Sequence, residues 1–200
     1  MTKNNQTQII EQLEKKLNIK IPKVKSVDYS TVGYVVDDNG CIKELGLYES
    51  GVQSEDLELI GSLTSLETLW LDRNKIVEIK GLGNLTSLKI LWLEDNQIVE
   101  IKGLETLTSL RVLNIKDNQI TEIKGLGNLT SLKSLWLEDN QIVEIKGLET
   151  LTSLKSLWLE YNQIEEIKGL DNLTSLRVLN VNRNQIKNIE FKKEDLEIFK

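Results

Sequence analysis

Two hundred residues with 40% hydrophobic and 28% charged side chains are the composition of an ordinary soluble globular protein, with enough apolar material for a core and too much for disorder. The formal charge of −6 is uneven, because six Lys meet five acids in residues 1–40 while 19 basic residues meet 26 acidic ones beyond them. The acidic remainder disfavours nucleic acid, where affinity comes from Lys and Arg displacing counterions, and no stretch approaches the ~20 apolar residues of a membrane span.

The chain opens with Met-Thr-Lys-Asn-Asn-Gln-Thr-Gln, which lacks the apolar run of a secretory signal, and its single Cys41 forbids an intramolecular disulfide. The expectation is therefore a cytoplasmic protein. Next, Ile9, Ile10, Leu13 and Leu17 fall on one side of a helical wheel. Thr7 is placed to cap that helix, and Asn18 with Pro22 to end it. The helix is expected to cover the first coil of a repeat array. Tyr34-Val35-Val36 and Cys41-Ile42 flank Asp37-Asp38-Asn39-Gly40, a hairpin-type turn. Cys41, at the start of the second strand, reads as a small buried thiol. Leu45, Leu47 and Val52 then belong to an irregular first repeat, with Leu57, Leu59 and Ile60 on a return path two residues longer than the later ones.

From Leu63 the text nearly repeats every 22 residues, reopening with Leu-Thr-Ser-Leu at Leu85, Leu107, Leu129, Leu151 and Leu173. A fixed period of this length means one supersecondary unit per copy, unable to bury its own apolar face and stacked on its neighbours. In residues 85–106, Leu91 and Leu93 alternate with outward residues as a half-buried strand requires, and the wider spacing of Ile98, Ile101 and Leu104 suits a tight return. Asn74, Asn96, Asn118, Asn140, Asn162 and Asn184 sit where the chain leaves each strand and are expected to form a hydrogen-bonded ladder between coils. Gly81, Gly103, Gly125, Gly147 and Gly169 mark a turn or a backbone approach too close for a Cβ. The Asn-Leu-Thr triplets at Asn84, Asn128 and Asn172 recur because the repeat does. After Ile189 the pattern fails, and Phe191, Leu196 and Phe199 are expected to fold over the last coil. The organisation is thus a 1–40 N-terminal cap, a 41–62 irregular repeat, 63–187 regular repeats and a 188–200 C-terminal cap.

Leu-x-x-Leu-x-Leu-x-x-Asn-x-Ile-x-x-Ile-x-x-Leu-x-x-Leu, as in residues 88–107, resembles the 22-residue class of leucine-rich repeats found in SDS22-like phosphatase regulators and in bacterial internalins. Gly46-Leu47-Tyr48, with the helix before it, is similar to cytosolic repeat proteins of prokaryotes, archaea included. Residues 85–106 and 129–150 differ only at Ile90 and Ser134, as in a recent duplication or a consensus-engineered chain. The resemblance implies an α/β leucine-rich repeat solenoid: a parallel β-sheet on the concave side, a helical cap before it and a cap segment after it. It also implies protein partners held on the concave face.

On that face, the central outward column reads Gly46, Trp70, Trp92, Asn114, Trp136, Trp158, Asn180. From Trp70 it is Trp-Trp-Asn twice, a 66-residue super-period laid over the shorter one. Strand spacing of ~4.8 Å predicts two indole pairs, Trp70 with Trp92 and Trp136 with Trp158, centred about 14 Å apart. Beyond the strand come Tyr48, Asp72, Glu94, Lys116, Glu138, Glu160 and Asn182, with Tyr161 beside them, a mainly acidic edge. Glu67, Lys89, Arg111, Lys133, Lys155 and Arg177 form a mostly basic line on the other rim. Clustered indoles are prominent in protein interfaces, and acids beside them suit a partner carrying Lys or Arg. The leading expectation is a protein or peptide bearing basic and apolar side chains. Carbohydrate binding and self-association, as a homodimer or structural scaffold, are the alternatives. With no His, no nucleophile-activating partner for Cys41, no phosphate loop and no clustered metal ligands, neither catalysis nor a cofactor is expected.

Overall fold

The computed structural model describes residues 3–190 and 195–200. Its first element is helix α1 (Lys3–Leu17), which packs Ile9, Ile10 and Leu13 into the core. Asn18 leaves the helix at φ 53°, and the Ile19 N–H reaches back to the Glu14 carbonyl at 3.1 Å, a Schellman-type end. Thr7 is not the cap. It lies inside α1, because the helix extends back past Gln6, whose buried amide donates to Ser65 Oγ at 2.7 Å and accepts the Ile42 N–H at 2.6 Å. That anchoring orders the preceding turn, a tertiary effect with no local signature.

Strands β1 (Val32–Val36) and β2 (Ile42–Leu47) form the expected antiparallel hairpin. The Asp37 carboxylate accepts the Asn39 and Cys41 N–H groups at 3.0 and 2.9 Å, and Gly40 supplies φ 78° at the end of the turn. Cys41 is partly exposed rather than buried, because the turn runs one residue further and the strand starts at Ile42.

Each later coil contributes one short parallel strand: β3 (Thr68–Trp70), β4 (Ile90–Trp92), β5 (Val112–Asn114), β6 (Ser134–Trp136) and β7 (Ser156–Trp158). The two-residue strand β8 (Glu166–Ile167) follows on the return path, and β9 (Val178–Asn180) resumes the main sheet. Leu69, Leu91, Leu113, Leu135, Leu157 and Leu179 lie in register and are fully buried. Successive i→i+3 turns at Leu104, Leu107 and Leu110 carry the return path, so that residues three apart all point inward. The longer first return accommodates a 3₁₀ turn (Ser54–Asp56) and a short helix α2 (Leu57–Gly61).

The Asn ladder forms as the sequence predicts. Asn118 Nδ2 donates to the carbonyls of Leu93, Ile115 and Lys116, while its Oδ1 accepts the Ile98 N–H. Each side chain thereby satisfies backbone groups of two coils that would otherwise be buried unpaired. At Gly103 both readings of the glycine column hold: φ is 89°, and a Cβ would come within 2.1 Å of the Ile79 carbonyl oxygen.

The C-terminal segment closes the last coil by adding to the sheet, with Leu196 and Ile198 packed against the core. Strand β10 (Asn188–Ile189) pairs with β8, and β11 (Glu197–Phe199) adds to the main sheet, parallel to β9, giving a sheet ordered β1-β2-β3-β4-β5-β6-β7-β9-β11. Edge addition satisfies the backbone of β9, which end-capping by side chains alone would leave unpaired. Phe191 lies outside the described residues.

Candidate functional site

The alternation of β3 to β9 turns one residue per strand toward the open face of the sheet, and their register aligns Trp70, Trp92, Asn114, Trp136, Trp158 and Asn180 in one row. The four indoles are half-buried and share this row, as expected. They do not divide into two pairs. Trp70 and Trp92 stack at 4.5 Å between ring centroids and 17° between planes, and Trp92 also stacks on Trp136 at 5.6 Å and 30°, across the intervening strand. Adjacent strands hold rings ~4.8 Å apart, so two strands would separate them by about 10 Å. The rings therefore lean together over Asn114.

Asn114 and Asn180, read from the sequence as outward binding residues, are covered, at 2% and 5% exposure. Their short amides lie along the sheet. Asn114 Nδ2 donates to Glu94 Oε2 at 2.9 Å and Asn180 Nδ2 to Glu160 Oε2 at 3.0 Å, each reaching back one coil. Their Oδ1 atoms accept the N–H of Lys116 and Asn182. The third position of the super-period thus closes a gap and secures a carboxylate.

The acidic edge is electrostatically divided by the same super-period. Glu94 has the Asn114 amide and, at 3.7 Å, the Lys116 ammonium. Burial works against the charge of Lys116, but Glu94, Asp117, Asp139 and Glu138 outweigh it and hold the ammonium above its usual range. Asp72 and Glu138, one super-period apart, receive no Asn amide and take part in no ion pair among the described residues. Asp72 is only 5% exposed; burial pushes its carboxyl up to about 7, against the Glu94 N–H that donates to Oδ1 at 2.8 Å and with the Glu94 charge adding to the rise. Burial likewise pushes Glu138 up to about 7, opposed by Lys116 and assisted by Glu94 and Asp139. Asp72 Oδ2, Glu138 Oε2 and Trp70 Nε1 are buried with no hydrogen-bond partner among the described residues. Leaving a buried polar atom unpaired costs on the order of 1–3 kcal/mol, more if charged.

The remaining edge residues are accessible. Tyr48 is half-buried with the Arg73 guanidinium 5.7 Å above its ring, and Tyr161 is 50% exposed. Tyr161 belongs to a column with Glu49, Arg73, Asp95, Asp117, Asp139 and Arg183, all at φ between 48° and 57°. The ladder Asn that follows fixes this left-handed turn, which aims the side chain off the strand end. On the opposite rim, Glu67 is held low by Lys89 and Lys43, while Arg111, Lys133 and Lys155 are exposed.

Two residues of this surface escaped the sequence reading. Phe199 pairs with Asn180 and so extends the aromatic row, although it follows at 19 residues rather than 22. Its only signal was the alternation of Leu196, Ile198 and their neighbours. At the other end, Val27 and the Thr31 carbonyl lie where a Cβ on Gly46 would be, so the loop bearing Tyr29, 68% exposed, walls the row before Trp70.

Elsewhere, a depression of about 660 Å³ on the return side is lined by Val77, Val99, Gly103 and charged residues. Several acids of that side are ion-paired, Glu78 with Lys80 at 3.0 Å and Glu166 with Lys168 at 2.8 Å. On the open face, Asp72 and Glu138 are the acids with a buried, unpaired oxygen among the described residues. Among the described residues no cluster of His, Cys, Asp and Glu could hold a metal ion.

Comparison with known proteins places this architecture. A family model described as a leucine-rich repeat region matches residues 72–198. Among curated protein sequences none matches significantly. Of solved structures, an internalin (InlF) of Listeria monocytogenes is similar over 82% of this chain with a TM-score of 0.66 and 29% identity. The chain spans about half of that protein, 53% of its length. Internalin C2 of the same organism is similar over 96% of this chain and 90% of its own, with a TM-score of 0.62 and 25% identity. With nine strands stacked in one sheet, an unbroken Asn ladder and a family model that covers most of its length, the chain belongs to the leucine-rich repeat family.

Proposed function

We propose that the protein is a non-catalytic binding module that takes a peptide segment with basic and apolar side chains on the open face of its sheet. Leucine-rich repeat folds generally serve protein binding, and one observation carries the finer reading: a continuous stack of Trp70, Trp92 and Trp136 alongside carboxyls that lack counter-ions. Stacking covers both faces of Trp92, so that ring offers only its edge to a partner. Sugar rings bind to indole faces. The stack therefore favours a peptide over a carbohydrate, and leaves Trp158 and the outer face of Trp136 for an incoming cation.

The test is the double substitution Trp92→Ala with Trp136→Ala, its fold verified by circular dichroism, titrated with arrays of basic-apolar peptides and of glycans. Loss of peptide binding by at least about tenfold is expected, consistent with indoles as interface hot spots. Peptide binding that survives the double substitution, or glycan binding in its place, would refute the reading.

A further inference from the structure

The two carboxyls with an unpaired buried oxygen are not scattered. Asp72 and Glu138 each follow by two residues the first indole of a Trp-Trp-Asn unit, whereas their counterparts Glu94 and Glu160 follow the second indole and each receives an Asn amide from the next coil. Neither Asp72 nor Glu138 takes part in an ion pair among the described residues, although Lys80, Lys116 and Lys168 elsewhere on the coils all do. The duplication has therefore preserved, at one point per unit, a buried carboxyl oxygen with nothing to accept from, on the strand-end side of the aromatic row. Buried polar atoms are overwhelmingly paired in folded proteins, so a recurring orphan at equivalent positions marks a partner that arrives from outside.

We propose that the open face recognises a dibasic extended segment, in which one Lys or Arg is received at Asp72 beside Trp70 and Trp92 and a second at Glu138 beside Trp136 and Trp158. The inference rests on the peptide-binding reading above and adds to it a spacing. Three strand intervals separate the two points, about 14 Å at ~4.8 Å each, and an extended chain rises ~3.4 Å per residue, so residues i and i+4 match. An offset of four is even, which turns both side chains toward the same surface, whereas offsets of three or five direct the second one away. Entry of a cation gives the orphan oxygen at each point a charged donor.

The experiment is fluorescence anisotropy on the whole, unaltered protein with labelled peptides of one length and one composition, carrying two Arg at offsets from i+2 to i+10 in a Val/Thr background. The i+4 peptide is expected to bind about tenfold more tightly than the i+3 and i+5 peptides. Asp72→Asn or Glu138→Gln should remove that preference and reduce affinity to that of a peptide with a single Arg. Binding that depends on Trp92 and Trp136 but ignores Arg spacing, or survives both carboxyl substitutions unchanged, overturns the dibasic inference and leaves the peptide-binding face intact. A preference for an offset near nine or ten would overturn the extended form in favour of a helical ligand. Absence of binding by every peptide would defeat both readings together.

Discussion

At the scale of single residues, the super-period decides which side chains are strained and which are satisfied. Asp72 and Glu138 are held up to about 7 from ordinary values of 3.8 and 4.5. The unfolded chain gives up these protons first, so between roughly pH 4 and 7 the folded state binds more protons and its stability falls as pH rises, levelling off above about 7. Below about pH 4.5 the trend reverses, because Glu67, held low by hydrogen bonds from Lys89 and Lys43, loses those interactions when protonated. Urea midpoints measured across this range should therefore peak near about pH 4.5. In the double substitution Asp72→Asn with Glu138→Gln, the decline from there toward pH 8 should flatten. A midpoint that instead rises steadily from pH 5 to 8 would contradict the burial of these carboxyls.

At the scale of elements, the cap helix is tied to the solenoid by a polar contact as much as by its apolar stripe. The Gln6 side chain bridges Ile42 of β2 and Ser65 of the next coil, and Lys16 pairs with the buried Asp56 at 2.5 Å. Replacing Gln6 by Ala strands the buried Ile42 N–H, which should lower stability by about 1–3 kcal/mol. Hydrogen exchange would report it first in α1 and at Ile42, with the central strands unaffected. Uniform loss of protection along the sheet would show that the cap is not a separable element. The amphipathic stripe and the Asn18 terminus of this helix were legible in the sequence, but its true start was not. A glutamine that bonds across 36 and 59 residues leaves no trace in local spacing.

At the scale of the molecule, every coil touches only its neighbours, so the structure should tolerate changes in whole units. Deleting residues 107–128 joins Thr106 to Leu129 in register and removes the β5 coil with Asn114. The shortened protein is expected to fold, to unfold with a smaller urea m-value because less surface is buried, and to bring the Trp92 and Trp136 backbones onto adjacent strands. Two strand intervals, ~9.6 Å, then match no even offset, so the preference for the i+4 peptide should be lost. A deletion product without cooperative unfolding would mean that the central coil is indispensable.

Sequence periodicity alone determined the coil, the parallel register, the Asn ladder and the alignment of the indoles, because a 22-residue repeat forces equivalent residues into equivalent places and only one face of each strand can be buried. It did not determine how side chains lean within a row or how the ends close. The ring contact across Asn114, the burial of Asn114 and Asn180, and the isolation of Asp72 and Glu138 depend on neighbours one or two strands away competing for the same space. Phe199 joined the aromatic row for the same kind of reason, since an exposed sheet edge pairs with whatever backbone reaches it, whatever the spacing in the chain.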